Sequence, residues 1–79
     1  MTYVILPELG EGIKNATVAS WFVREGQSVG ADDDLVDVVT DKATFSVPAG
    51  RAGVVLKILV AEGQEVNIGE KLAVLVPAG

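Results

Sequence analysis

Hydrophobic and polar residues alternate along most of this chain in short runs, and turn-forming residues separate the runs. Val, Ile, Thr, Phe, Tyr and Trp dominate the runs, while nine glycines and three prolines lie mainly between them. A period of two residues and a high content of β-branched residues are typical of strands with one buried face. The pattern predicts eight strands: Tyr3–Leu6, Thr17–Val23, Ser28–Val29, Leu35–Val39, Ala43–Val47, Val54–Val60, Glu65–Val66 and Leu72–Val76.

The number and shortness of these strands favour an all-β fold, either a sandwich or a small barrel, because no helical period separates them. Pro7, Pro48 and Pro77 each close a strand, where a missing N–H breaks no ladder bond. We therefore predict one domain over residues 1–77. Residues 78–79, which follow Pro77, are interpreted as the start of a Pro/Ala-rich linker.

The chain repeats itself once. Residues 18–39 (VASWFVREGQSVGADDDLVDVV) align with residues 55–76 (VLKILVAEGQEVNIGEKLAVLV), and Gly26 recurs as Gly63, an offset of 37 residues. Two copies are too few for a solenoid, so the repeat predicts pseudo-two-fold symmetry within one domain. The same offset carries Lys42, at the tip of a predicted hairpin, to the chain's end. The hairpin tip and both termini should therefore lie at opposite ends of the domain.

The amino-acid composition excludes several kinds of catalytic and metal-binding site. The hydrophobic fraction of 49% is ample for a core, but the chain has no cysteine and no histidine. These absences exclude disulfides, thiolate metal sites and Ser-His or Cys-His catalytic pairs. A net charge of −5 argues against a nucleic-acid partner, and no apolar run is long enough to span a membrane. We expect no catalytic residues and no metal site, and a carrier or interaction module is the better starting hypothesis.

The stretch VVTDKATFSV (Val38–Val47) places Lys42 at a hairpin tip between two strand-like runs. Tight hairpins favour Asn-Gly or Asp-Gly, so Asp-Lys is not explained by the turn alone. An ordinary solvated lysine remains the alternative from composition, because the chain has three other lysines: Lys14, Lys57 and Lys71.

Several motifs in order resemble one family. They are LPELGEGI near the start, Trp21, the E-G-Q turn before Val29, TDKAT around Lys42, and VPAG at the end. Together they look like the lipoyl domain of 2-oxo acid dehydrogenase acyltransferase (E2) subunits, over essentially the whole chain. The resemblance implies a flattened eight-stranded barrel-sandwich hybrid of two four-stranded antiparallel sheets. Many family members have an acidic residue at the position of Val39 and a glycine at the position of Ala16. We therefore expect this chain to differ from those members in the ligase or dehydrogenase partner that it prefers.

The resemblance also implies a function. Lys42 would carry lipoic acid through an amide bond, and Asp41 and Ala43 would shape the turn for the lipoate-attaching enzyme. The lipoyl group would pass acyl groups and reducing equivalents between a thiamine-diphosphate-dependent dehydrogenase (E1), the E2 core and dihydrolipoamide dehydrogenase (E3). The domain itself would be a non-catalytic, monomeric carrier, and the parent chain a dihydrolipoamide acyltransferase. The LPELGEGI stretch favours a pyruvate or branched-chain complex, in the cytoplasm of a prokaryote or in the mitochondrial matrix.

The glycine-containing loop over Leu9–Ala16 lacks the third glycine of a dinucleotide-binding motif and any βαβ unit. It is interpreted as a surface loop. In lipoyl domains the matching loop lies beside the lipoyl hairpin, which makes Glu8, Glu11 and Lys14 candidates for partner recognition. The three successive carboxylates of ADDDL lack calcium-loop spacing and predict a solvated turn. Trp21 is predicted to be a half-buried strand residue.

Two alternatives stay open. A biotin carrier domain resembles this fold and also modifies a hairpin lysine, but that lysine is flanked by methionines, and here the only methionine is Met1. An unmodified hybrid-motif interaction domain, as in efflux adaptors, would carry no adduct and would leave the D-K-A triplet unexplained.

Overall fold

The computed structural model of the chain describes residues 1–78 and contains the eight predicted strands; Gly79, the last residue of the predicted linker, lies outside the described residues. The strands are β1 (Thr2–Ile5), β2 (Asn15–Trp21), β3 (Ser28–Val29), β4 (Asp34–Val39), β5 (Thr44–Pro48), β6 (Gly53–Ile58), β7 (Glu65–Asn67) and β8 (Lys71–Val76). The prediction of an all-β fold is confirmed. Each strand end differs from its predicted position by at most two residues.

The strands form two four-stranded antiparallel sheets. One sheet, called sheet A, has the order β1-β8-β6-β3, and the other, sheet B, has the order β5-β4-β2-β7. The two orders are the same once each strand is exchanged for its repeat partner, so the predicted pseudo-two-fold symmetry is present in the topology. Sheets A and B build a flattened body with principal extents of 39 × 21 × 17 Å.

Small aliphatic side chains fill the space between the sheets. Leu35 and Val38 from sheet B meet Leu72 and Leu75 from sheet A in one buried cluster. The aromatic residues Trp21 and Phe45 are only partly buried and pack against the edge of this cluster. Every buried residue in the described part of the chain is apolar or glycine. Burial alternates with a period of two at the start of β2, whereas four consecutive residues of β8 are buried.

The two E-G-Q turns join the sheets by equivalent long-range hydrogen bonds. The carboxylate of Glu25 accepts the backbone N–H of Ile58 at 2.9 Å, and that of Glu62 accepts the N–H of Trp21 at 2.9 Å. Gly26 donates to the Val55 carbonyl at 2.6 Å, as its repeat partner donates to the Val18 carbonyl at 2.7 Å. The turn after β2 is therefore bonded to β6 of sheet A, and the turn after β6 is bonded to β2 of sheet B.

The chain termini and the hairpin between β4 and β5 lie at opposite ends of the body. Strand β5 begins beside the hairpin at Thr44 and ends at Pro48. Just beyond that far end, Arg51 donates from Nη1 to Thr2 Oγ1 at 3.4 Å. A shallow pocket there is lined by Met1, Thr2, Arg51, Ala52, Pro77 and Ala78. The hairpin thus points away from the ends of the chain, as the repeat predicted.

Candidate functional site

The tip of the β4–β5 hairpin is a turn over Thr40–Ala43 that presents Lys42 to solvent. Asp41, Lys42 and Ala43 are all exposed. No non-glycine residue among those described has a positive φ, so this turn is not of the I′ or II′ type that Asn-Gly would favour. The chain therefore tolerates Asp-Lys at the tip without left-handed backbone.

Thr40 stabilises this turn through its hydroxyl. Thr40 Oγ1 accepts the backbone N–H of Lys42 at 3.2 Å and that of Ala43 at 3.1 Å, and the Thr40 N–H donates to the Ala43 carbonyl at 2.9 Å. A threonine side chain bound to the N–H groups two and three residues later is a local turn motif. Thr40 was not among the residues predicted from the sequence, although a threonine two residues before a lysine at a hairpin tip indicates this kind of turn.

An open groove of about 650 Å³ lies beside the hairpin. One wall is the hairpin from Val39 to Lys42. The other wall consists of the end of the loop between β1 and β2, the start of β2, and Glu65 of β7. The groove residues are Gly12, Ile13, Asn15, Ala16, Thr17, Val39, Thr40, Asp41, Lys42 and Glu65. Ala16 and Val39 both line this groove. A partner that binds the hairpin would meet them there.

The loop before β2 is anchored at several points. Leu9 packs against the core, Ile13 donates to the Gly10 carbonyl at 3.2 Å, and the Lys14 carbonyl accepts from Ile68 at 3.0 Å. The predicted recognition residues Glu8, Glu11 and Lys14 are exposed on this loop. None of the three lines the groove beside the hairpin, to which this loop contributes their neighbours Gly12 and Ile13.

The other sequence candidates have structural positions. Trp21 is half-buried and donates from Nε1 to the Val60 carbonyl at 3.0 Å, as expected for a strand aromatic. In the ADDDL turn, Asp33 accepts the Gly30 N–H at 2.8 Å, and its neighbours are exposed. Within residues 1–78, acidic side chains form no cluster suited to a metal ion. No helix in that range has the length and apolar character of a membrane-spanning segment.

A protein-family model described as "Biotin-requiring enzyme" matches residues 2–75. The chain belongs to the biotinyl/lipoyl attachment domain family. Among solved structures, the lipoyl domain of the 2-oxoglutarate dehydrogenase complex from Azotobacter vinelandii superposes with a TM-score of 0.79, at 35% identity over the full length of both chains. The predicted family and its architecture are confirmed.

Two curated relatives are E2 components of different complexes. The succinyltransferase component of the 2-oxoglutarate dehydrogenase complex of Rickettsia bellii is 38% identical over 69 residues, covering 87% of this chain and 17% of that protein. The acetyltransferase component of the pyruvate dehydrogenase complex of Zymomonas mobilis is 40% identical over 77 residues, covering 96% of this chain and 18% of that protein. This attachment domain therefore spans less than a fifth of the length of these relatives.

Proposed function

We propose that this attachment domain is a lipoyl carrier and that lipoic acid is joined to Lys42 by an amide bond. The observation that carries the proposal is the position of Lys42 at an exposed hairpin tip, at the end of the domain opposite the termini. A tether attached to either terminus leaves that tip free to reach other proteins. The other lysines lack this combination, since Lys57 and Lys71 lie within β6 and β8 and Lys14 lies in an anchored loop.

The residues around Lys42 fit a covalently attached lipoate. The lysine is exposed, so its amine can enter the active site of an attaching enzyme, and its backbone N–H donates to Thr40 Oγ1. The attaching enzyme uses ATP to convert the lipoate carboxylate to an acyl adenylate, the neutral Lys42 amine attacks its carbonyl, and AMP leaves as the C–O bond breaks. The lysine loses its positive charge, so the formal net charge changes from −5 to −6. When bound, lipoate supplies a dithiolane able to carry acyl groups and reducing equivalents. Asp41 and Ala43 shape the turn rather than take part in chemistry.

The domain would serve a 2-oxo acid dehydrogenase complex as part of a longer E2 acyltransferase. Its partners would be an attaching enzyme, a thiamine-diphosphate-dependent E1, the E2 core and the flavin-dependent E3. A flexible tether raises the effective concentration of the arm at each partner to about the mM range. The relatives reported above are bacterial proteins, which supports a cytoplasmic complex. Pyruvate and branched-chain 2-oxo acids remain our proposed substrates, and 2-oxoglutarate joins them because a succinyltransferase component is among the relatives.

Intact-mass analysis tests the attachment site. The domain is incubated with lipoate, ATP and a lipoate ligase, and we expect the addition of one lipoyl group. Lys42→Ala should remain unmodified. The matched variant Lys14→Ala removes a lysine from the neighbouring loop but leaves Lys42 in place, so it should be modified like the wild type. Circular dichroism should give the same strand signal for all three proteins. A lipoyl adduct on Lys42→Ala, or none on the folded wild type, would contradict the proposal.

Biotinylation is the second candidate function, because the family model covers biotin-dependent proteins by its description. The same mass measurement, made with biotin, ATP and a biotin ligase, separates the two. We expect no biotin adduct on the wild type, since methionines do not flank Lys42. A stoichiometric biotin adduct together with no lipoyl adduct would reverse the assignment.

A further inference from the structure

The outer face of sheet A carries apolar and cationic side chains that the inner core does not use. We call this surface the apolar-basic face. It consists of Tyr3, Ile5, Leu56, Lys57, Lys71 and Val74.

The strand registers establish that these side chains point away from the core. Tyr3 pairs with Val74, which pairs with Lys57 across the sheet, while Val4 and its partner Ala73 are buried on the inner side. Tyr3 is 43% exposed and Leu56 is 52% exposed. Val74 is only 6% exposed, yet it is not a member of the core cluster, because its neighbours on the outer face cover it. Tyr3, Ile5 and Leu56 are therefore exposed apolar side chains outside the core.

Pseudo-two-fold symmetry provides an internal comparison. On the outer face of sheet B, the same pairings join Ser46 to Asp37 and Asp37 to Ser20, and Pro48 to Asp34. Ser46, Asp37 and Ser20 correspond to Tyr3, Val74 and Lys57. Pro48 and Asp34 correspond to Ile5 and Lys71, and Ala19 corresponds to Leu56. The same backbone thus folds with small or acidic residues at these positions. The apolar and cationic residues on sheet A are not a requirement of the fold.

The charge on this face is opposite to that of the whole molecule. Lys57 and Lys71 both lie on it, in a chain of net charge −5. Lys71 Nζ lies 4.2 Å from the centroid of the Tyr3 ring, a cation–π contact that holds the charge over the apolar surface. Surface charges act over about 8–10 Å at physiological salt. A short acidic segment bound on this face is therefore attracted by the two lysines more strongly than it is repelled by the distant acidic residues. An extended anionic surface, such as a membrane or nucleic acid, would be repelled by the acidic body.

We propose that the apolar-basic face binds a short protein segment in which carboxylates alternate with large apolar residues. The carboxylates pair with Lys57 and Lys71, and the apolar side chains cover Tyr3, Ile5 and Leu56. Exposed apolar surface bordered by charge is typical of protein interaction sites. The segment would bind along the strands of sheet A rather than on the β4–β5 hairpin, so the hairpin with Lys42 stays free while the domain is held. The interaction does not depend on lipoylation.

Titration of the ¹⁵N-labelled domain with a synthetic peptide of alternating glutamate with leucine or phenylalanine tests this surface. We expect amide shift changes at Tyr3, Leu56, Lys57 and Lys71, with a dissociation constant of about 0.1–1 mM for so small a contact. A variant with Tyr3→Ser, Leu56→Ala and Lys57→Ser introduces the residues that sheet B already tolerates at equivalent positions. It should bind at least about ten-fold more weakly. Lys57→Ser alone, which perturbs packing least, should weaken binding in the same direction.

The controls are matched in position and in peptide chemistry. Ser20→Ala, at the place equivalent to Lys57 on sheet B, should leave binding unchanged. A peptide with lysine in place of glutamate should not bind. Equal binding of the two peptides, shift changes centred on sheet B, or no shift at mM peptide would overturn the proposal. Binding of phosphatidylglycerol vesicles in the absence of peptide binding would overturn it in favour of a membrane surface.

Discussion

At the scale of the residue, the hydroxyl of Thr40 decides how Lys42 is presented. Two adjacent backbone N–H groups at the tip have this one side-chain oxygen as their acceptor, and the same hydroxyl is within 3.1 Å of the Ala43 carbonyl oxygen. An exposed lysine without such support would sample many backbone conformations, and an attaching enzyme would have to select one of them. The conformation of the lysine therefore depends on a neighbour with no chemistry of its own.

Thr40→Val removes the hydroxyl while keeping the shape of the side chain. We expect the fold to persist and the free energy of unfolding to fall by about 0.5–1.5 kcal/mol, because the freed N–H groups can still bind water. The initial rate of lipoylation, followed by intact mass at limiting ligase, should fall with it. Thr40→Ser should restore the rate, and Thr44→Val, at the exposed start of β5, should not change it. Equal rates for Thr40→Val and the wild type would show that the hydroxyl does not order the site.

At the scale of the element, each E-G-Q turn depends on a glycine in the left-handed region. Gly26 has a φ of 91° and Gly63 a φ of 89°. A Cβ at either position would meet nothing within 4 Å, so a substitution there is disfavoured by backbone conformation alone.

Gly26→Ala and Gly63→Ala should therefore lower the free energy of unfolding by similar amounts, about 1–2 kcal/mol each. Gly30→Ala is the matched control, since its φ lies outside the left-handed region and its Cβ would lie in ordinary contact with Asp33 at 3.6 Å. That change should be neutral or stabilising by up to about 1 kcal/mol. Urea unfolding of the three variants measures these differences. A cost for Gly30→Ala as large as for the other two would contradict this explanation.

The strand ends separate what local sequence determines from what the tertiary structure adds. Periodicity, β-branched and aromatic residue types and turn residues together predicted all eight strands. They placed the end of β2 at Val23 and that of β6 at Val60, whereas the strands end at Trp21 and Ile58. Those N–H groups donate to glutamate side chains 41 and 33 residues away, which no local pattern reveals. The resemblance placed the loop before β2 beside the hairpin, but it did not predict the groove or its lining residues, because the walls come from separate segments of the chain.

At the scale of the whole molecule, the pseudo-two-fold symmetry is incomplete because the two ends of the domain are packed differently. Gly53 in β6 and Ala16 in β2 occupy equivalent positions. Ala16 is buried beside the hairpin groove. A Cβ at Gly53 would instead overlap the carbonyl oxygen of Val76, because β8 approaches closely at the end where the chain termini lie. One end of the duplicated fold is thus packed more tightly than the other.

Gly53→Ala should force β6 away from β8 and lower the free energy of unfolding by about 1–3 kcal/mol. In a domain of this size each kcal/mol lowers Tm by about 4–8 °C, which differential scanning calorimetry resolves. Ala16→Gly is the reciprocal change and should cost only about 0.5–1 kcal/mol, since it adds chain entropy without a clash. Below Tm, Gly53→Ala should be lipoylated at the wild-type rate, because its strain lies at the opposite end from Lys42. A Gly53→Ala domain as stable as the wild type would contradict the predicted clash with Val76. A stable Gly53→Ala domain with slowed lipoylation would mean that the two ends are not independent.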